Sequence, residues 1–168
     1  MPRGIEIERK FLVDDRSVLD GKQGTGIVQG YLASSSTRSV RVRRDADLGV
    51  LTVKGPRRGA SRFEAECEIP VEIADQLLEE CQHPLVKTRY PVMEGGRLWA
   101  IDEFHDTNEG LVLAEVELDS EDEALEVPHW CGEEVTNDER YYNERLARCP
   151  FAAWRRRRGF RRWLPFLR

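Results

Sequence analysis

Gly4-Ile5-Glu6-Ile7-Glu8-Arg9-Lys10-Phe11-Leu12-Val13 decides the fold class. Side chains of an extended strand alternate between its two sides, so Ile5, Ile7, Phe11 and Val13 share one face while Glu6, Glu8 and Lys10 share the other. The division recurs downstream. In residues 62–69, Phe63, Ala65, Cys67 and Ile69 oppose Arg62, Glu64, Glu66 and Glu68; in residues 111–118, Ala114, Val116 and Leu118 oppose Glu115 and Glu117. Basic residues follow the same rule: Arg41 and Arg43 oppose Val40 and Val42, Lys54 opposes Leu51 and Val53, and Lys87 and Arg89 oppose Val86 and Tyr90.

Segments of this period cover residues 4–13, 27–33, 39–45, 50–55, 62–69, 85–93, 97–104 and 111–118, and Gly, Pro, Asp or Ser separate them, which predicts an antiparallel sheet of about eight strands. Between them, residues 71–81 place Ala74, Leu77, Leu78 and Cys81 at helical spacing behind Pro70, the pattern of an amphipathic helix. Shorter helices are expected near residues 121–125 and over 138–146, where Tyr142 and Leu146 fall on one stripe. No internal repeat is present. The expected organisation is one domain over residues 1–150 and a basic, aromatic extension over 151–168.

Charged residues make up 34% of the 168, above the ~25% usual in globular chains, so many charges must lie somewhere other than an ordinary wet surface. The net charge of −5 conceals an asymmetry. The end from Trp154 onward carries seven arginines and no acid; with those set aside, 19 bases face 31 acids. So acidic a body repels phosphates on average, and phosphate binding requires its basic groups to be gathered locally. Cys67, Cys81, Cys131 and Cys149 show no paired metal spacing, and residues 1–10 lack an apolar signal core, which points to reduced thiols and a cytoplasmic protein. Charges interrupt every apolar run well short of the ~20 residues that span a bilayer.

A solvated face mixes Thr, Ser, Gln, Lys and Glu, whereas these faces repeat Glu-x-Glu or Arg-x-Arg. Like charges two apart on a strand repel at ~7 Å unless something of opposite sign lies between them. Divalent cations answer the acids and phosphates answer the bases. An eight-stranded closed barrel has room inside for one small ligand, so the pattern fits an α+β protein with a charged lumen and an apolar outer face covered by helices. The plain alternative is a set of surface charge ladders between neighbouring strands.

The stretch Glu6-Ile7-Glu8-Arg9-Lys10 resembles the ExExK signature of the CYTH superfamily, the triphosphate tunnel metalloenzymes. Further segments follow in that family's order: Gly30-Tyr31-Leu32, Arg41-Val42-Arg43, Leu51 to Gly55, Glu64-Ala65-Glu66, Lys87 to Tyr90, Asp102-Glu103-Phe104, Leu113 to Leu118 and Glu134-Val135-Thr136. The resemblance implies an eight-stranded antiparallel tunnel that hydrolyses a triphosphate with Mg²⁺ or Mn²⁺, inorganic triphosphate in the compact bacterial members. Tunnels of this kind also serve thiamine triphosphatases, RNA triphosphatases and adenylate cyclases, so an organic triphosphate or a cyclase reaction is the alternative, and a non-catalytic polyphosphate or nucleotide module a second.

On that reading Glu6, Glu8, Glu115 and Glu117 supply carboxylates to the metal, with Glu64, Glu66 and Asp102 in support. Arg41, Arg43, Lys54, Lys87 and Arg89 hold phosphates, and Lys10 joins them. Lys10 and Tyr31 are placed near the attacking water as proton acceptors or orienting groups. Strand parity puts Phe104 on the same side as Asp102 unless a bulge intervenes. Arg140, Tyr141, Tyr142 and Asn143 resemble the family's closing element, read as a helix whose aromatics pack over the tunnel end. No specific nucleic-acid partner is expected, and the chain is expected to be a monomer or homodimer. The arginine-rich end is either a solvated extension folded back on the acidic body or a weak contact for anionic lipid or another polyanion.

Overall fold

Alternation with a period of two carries the chain into a closed sheet. The computed structural model describes residues 4–35 and 37–154. Its strands are β1 (Glu6–Val13), β2 (Thr25–Ser34), β3 (Ser39–Asp45), β4 (Leu48–Arg58), β5 (Ser61–Ile69), β6 (Leu85–Glu94), β7 (Arg97–Phe104), β8 (Val112–Glu117) and β9 (Cys131–Glu134). They run antiparallel in the order β5-β4-β3-β2-β6-β7-β8-β1-β9, and a further pairing of β5 with β1 closes the first eight into a barrel. That seam is short: it consists of Glu6↔Arg62 and Ile7↔Ser61. Beyond it β5 diverges, and β9 takes its place beside β1 at Phe11 and Val13 across an irregular register.

The register fixes what faces the lumen, because residues opposite one another on neighbouring strands project to the same side. Lys10 lies opposite Glu115, which lies opposite Ala100; Arg89 lies opposite Asp102, which lies opposite Leu113; Lys87 lies opposite Phe104. Asp102 and Phe104 therefore both point inward with no bulge between them. The inward rows begin charged and end apolar, from Glu6 through Lys10 to Leu12 and from Glu117 through Glu115 to Leu113. Leu85, Phe104, Leu111 and Leu113 fill that inner end together with Val135, Tyr141 and Leu146.

Two further apolar clusters cover the outside. Helix α1 (Val71–Glu79) lays Ala74, Leu77 and Leu78 over Val42 and Leu51. Its close approach needs a missing side chain at Gly30, where a Cβ would lie 2.5 Å from Cys81 Sγ. On the opposite side Phe11, Trp99, Ile101 and Val116 lie beneath Trp130 and Leu125, with Trp99 edge-on to Trp130 at 5.3 Å between ring centroids.

Three elements depart from the sequence expectation. The helix expected near 121–125 does not form: the segment is a turn followed by an extended loop. Five residues ahead of Pro128 are too few to nucleate a helix alone, and Glu123 instead accepts hydrogen bonds from Asp119 N (2.7 Å) and from Arg97 while Leu125 packs on the outer cluster. The helix expected over 138–146 breaks into a 3₁₀ turn (Glu139–Tyr141) and α2 (Asn143–Arg148), because Tyr142 is extended (φ −72°, ψ 133°). That break brings its ring to 4.9 Å from the Arg57 guanidinium. β9 carries no alternation, since Cys-Gly-Glu-Glu has no apolar face to read.

Residues 151–154 are helical, and Phe151 and Trp154 pack on the apolar inner end, with Trp154 edge-on to Tyr141 at 5.3 Å. The arginines of the extension, from Arg155 onward, lie outside the described residues, as does any polyanion contact they make. Among the described residues no helix is long and apolar enough to cross a membrane. Trp99 is fully buried, so Trp99→Ala should remove ~3–5 kcal/mol of stability, read as a lower urea midpoint at unchanged slope.

Candidate active site

Inward charges from six of the barrel strands, joined by Tyr31 from a seventh, converge on one cavity of about 260 Å³. Its wall holds Glu6, Glu8 and Lys10 from β1, Tyr31 from β2, Arg41 and Arg43 from β3, Lys54 from β4, Glu64 and Glu66 from β5, Arg89 from β6, and Glu115 and Glu117 from β8. Strand period two produces this directly, because each Glu-x-Glu or Arg-x-Arg pair has both members on the same face. The register then sets acids against acids and bases against acids: Glu8 lies opposite Glu117, and Lys10 opposite Glu115.

Most of the cations are held by carboxylates, while Arg62 donates Nε to the Gly55 carbonyl at 2.7 Å. Lys54 Nζ lies 2.8 Å from Glu6 Oε2 and 2.5 Å from Glu64 Oε2, while Lys10 Nζ lies 2.8 Å from Glu115 Oε1. Arg41 donates to Glu66 at 3.1 Å and to Thr52 Oγ1 at 3.2 Å. Arg89 grips Asp102 with two hydrogen bonds of 2.7 Å and reaches Glu115 at 2.9 Å. Arg43 differs: among the described residues its guanidinium has no hydrogen bond or ion pair, and its buried Nε is unmatched. Burial and the neighbouring Arg41 push its pKa down, the state of a cation waiting for an anion.

Lys87 and Asp102 do not reach the cavity wall. They sit deeper, both fully buried and 2.6 Å apart, beneath Arg89 and against the Phe104 ring. Burial pulls Lys87 down to about 8 despite Asp102 beside it. Asp102 stays low because the Arg89 and Lys87 charges outweigh its own burial penalty. The pair acts as a foundation for Arg89.

Lys10 is buried at the wall and Tyr31 half-buried there. Burial lowers Lys10, but Glu115 and Glu8 more than reverse this and raise its pKa above the ordinary lysine value. Burial pushes Tyr31 up to about 12. Both therefore hold their protons at neutral pH. Glu6 and Glu64 behave as a pair: burial raises each, their mutual hydrogen bond and Lys54 bring Glu6 down to about 2, and Glu64 is left at about 8. Burial and mutual repulsion thus favour Glu64 keeping its proton while Glu6 carries the charge beside Lys54, as expected where like charges cannot both ionise.

The wall also holds residues that period-two reading did not single out. Arg57 donates to Glu8 at 2.9 Å. It lies beyond an irregularity between Lys54 and Arg57, where three steps along β4 match two along β5, and this extra residue restores Arg57 to the inner face. Simple parity would have turned it outward, although the basic run Arg57-Arg58 was visible. Arg62 and Ser39 were on charged or polar faces in plain view. Tyr142, Asn143 and Glu144 enter from α2 and the residue before it, and Glu144 is hydrogen-bonded to Ser34 of β2. The closing element thus lines the cavity as well as packing over its end.

The raised pKa of Glu64 has a consequence for stability whose sign can be tested. Glu64 is raised from 4.5 to about 8 in the folded chain, so it stabilises the fold fully below pH 4.5 and that contribution is lost as pH climbs to about 8. In chelator, stability of the chain should fall between pH 5 and 8 and Glu64→Gln should flatten that slope, followed by urea melts across the range.

Residues 4–147 match the CYTH domain. The chain is 45% identical over 150 residues to an inorganic triphosphatase of Acetivibrio thermocellus, covering 88% of this chain and 96% of that protein. It is 38% identical over 148 residues to an inorganic triphosphatase of Nitrosomonas europaea, covering 84% and 96%. The crystal structure of an inorganic triphosphatase superposes with a TM-score of 0.62 at 36% identity, over 84% of this chain and 93% of that one. With the closed barrel, the paired carboxylates and these matches together, the chain belongs to the CYTH domain family.

Proposed function

We infer that the chain is a phosphoanhydride hydrolase that splits inorganic triphosphate into pyrophosphate and phosphate. The carrying observation is the single cavity in which glutamates from β1, β5 and β8 face arginines and lysines from β3, β4 and β6, with Arg43 unengaged. The high identity to proteins named inorganic triphosphatase supports the same substrate. Tyr31 and Tyr142 are the aromatic members of an otherwise charged and polar wall, which offers phosphate oxygens many partners and a nucleobase or thiazole few.

The donor chemistry fits a hard divalent cation, Mg²⁺ or Mn²⁺, although among the described residues no three acidic side chains are gathered as a ready ligand set, since Lys and Arg hold them apart. Glu6 and Glu64 are near enough to hydrogen-bond, and Glu8 faces Glu117, so the donors are carboxylate oxygens of the type these ions take. Glu6, Glu8, Glu115 and Glu117 would hold the ion, with Glu64 and Glu66 in support. Bound there, the cation supplies neutralising charge for phosphate oxygens and a lowered pKa for water.

Arg43 takes a phosphate oxygen first, since engaging it disrupts no existing pair. Arg41, Lys54 and Arg89 trade part of their carboxylate contacts for phosphate contacts as the ligand enters, the arginines as forks and the lysine as a point charge. Asp102 and Lys87 keep the Arg89 guanidinium aimed into the cavity from below. Because Lys10 remains an ammonium and Tyr31 a phenol, each serves by donating and orienting: Lys10 toward the phosphate or the leaving oxygen, Tyr31 toward the attacking water. Proton acceptance falls to the phosphate or a cavity carboxylate.

Phosphate release from tripolyphosphate with Mg²⁺ or Mn²⁺ should greatly exceed release from pyrophosphate or ATP; equal or faster turnover of ATP or thiamine triphosphate overturns the substrate assignment. Glu117→Gln should lower kcat roughly a hundredfold or more. Arg43→Ala should raise KM by about tenfold, the worth of one charge-assisted hydrogen bond.

A further inference from the structure

Lys10 sits where β1 changes partners, and its main chain is held there in an unusual way. Ahead of it, Glu6 and Ile7 pair with β5; after it, Phe11 and Val13 pair with β9. At Lys10 itself the carbonyl accepts from Val135 N at 2.8 Å, but the amide N–H does not find a backbone oxygen: it donates to the side-chain hydroxyl Oγ1 of Thr136 at 3.0 Å. That hydroxyl donates onward to Glu134 Oε1 at 2.7 Å. Glu134 is fixed in turn by the Arg9 guanidinium, through Nε at 2.9 Å and Nη2 at 2.6 Å, and Arg9 lies over the Phe11 ring.

Arg9, Thr136 and Glu134 are thus one chain of directed hydrogen bonds on the outer side of β1, closing on the backbone of the residue whose side chain enters the cavity. On its other side β1 keeps a continuous register with β8 through Lys10, so the inward direction of the side chain is set there; the β9 side is irregular between Phe11 and Val13, and there the hydrogen-bond chain fixes how the Lys10 backbone sits. We propose that Thr136 and Glu134 are positioning residues: they lock the backbone at Lys10 so that its ammonium stands between Glu115 and Glu8. Neither touches the cavity, and both act through Lys10. Burial tunes the clamp, since Thr136 is 5% exposed and its hydroxyl has both roles, acceptor from Lys10 and donor to Glu134, already filled. Valine has the shape of threonine without either bond; serine keeps both.

The proposal rests on the role given above to Lys10, and the test separates the two. The variants are Thr136→Val, Thr136→Ser, Lys10→Gln and the Lys10→Gln/Thr136→Val double, each checked for a cooperative thermal melt and assayed for kcat and KM on tripolyphosphate with Mg²⁺. Thr136→Val should lose about tenfold in kcat, Thr136→Ser should stay within twofold or threefold of the parent, and Thr136→Val should cost nothing further once Lys10 is glutamine. Unchanged kcat in Thr136→Val, a serine variant as poor as the valine one, or an equal loss in the Lys10→Gln background overturns the clamp. If the parent chain itself releases no phosphate from tripolyphosphate, the hydrolase reading fails, and the same four proteins compared by tripolyphosphate affinity in calorimetry still decide the clamp by the same cycle.

Discussion

The structure depends on one electrostatic constraint: charge taken out of water must be answered by opposite charge within a few ångströms. A closed sheet forces every second side chain inward, so a chain with Glu-x-Glu and Arg-x-Arg on its inner faces can close only if acids and bases from different strands interleave. They do. Lys54 reaches across to Glu6 and Glu64, Lys10 to Glu115, Arg41 to Glu66, Arg57 to Glu8, and Arg89 to Glu115 and Asp102. Such pairs add little net stability, because desolvation offsets the attraction. Folding is driven instead by the three apolar clusters, two outside the barrel and one across its inner end.

This division of labour explains why the cavity can exchange partners. A pair whose net worth is near zero is easily traded for another of similar worth, and a phosphate or a cation offers such a trade to each arginine or glutamate. The foundation beneath them behaves differently. Lys87 and Asp102 lie sealed below the wall, and the bonds that Asp102 accepts from Lys87 and from Arg89 are not exposed to exchange. The cavity thus has a replaceable upper layer and a fixed lower one.

Much of this was legible in the sequence because period two is unforgiving: once residues 4–13, 62–69 and 111–118 are read as strands, their acids must share a face, and the cavity gathers Glu6, Glu8, Glu64, Glu66, Glu115 and Glu117, while Glu68 lies exposed beyond it. Even Asp102 beside Phe104, awkward for simple parity, is explained by an inner end that turns apolar. What escaped was local irregularity. Arg57 depends on one extra residue in β4, β9 on backbone pairing without an apolar face, and the loop over 121–125 on two side chains that prefer contacts to helical turns. Lys87 reads like Arg89 in sequence, two residues earlier on the same face, yet depth along the barrel axis separates a wall residue from a buried support, and alternation carries no information about depth.

The short join between β1 and β5 takes on a different meaning beside the glutamates that straddle it. Glu6 belongs to one edge of that join and Glu64 to the other, and Lys54 is paired with both. The backbone join closes the ring by itself, and Lys54 lays a side-chain cross-tie over it; an anion that draws Lys54 into the cavity therefore loosens that tie across the narrowest seam of the barrel.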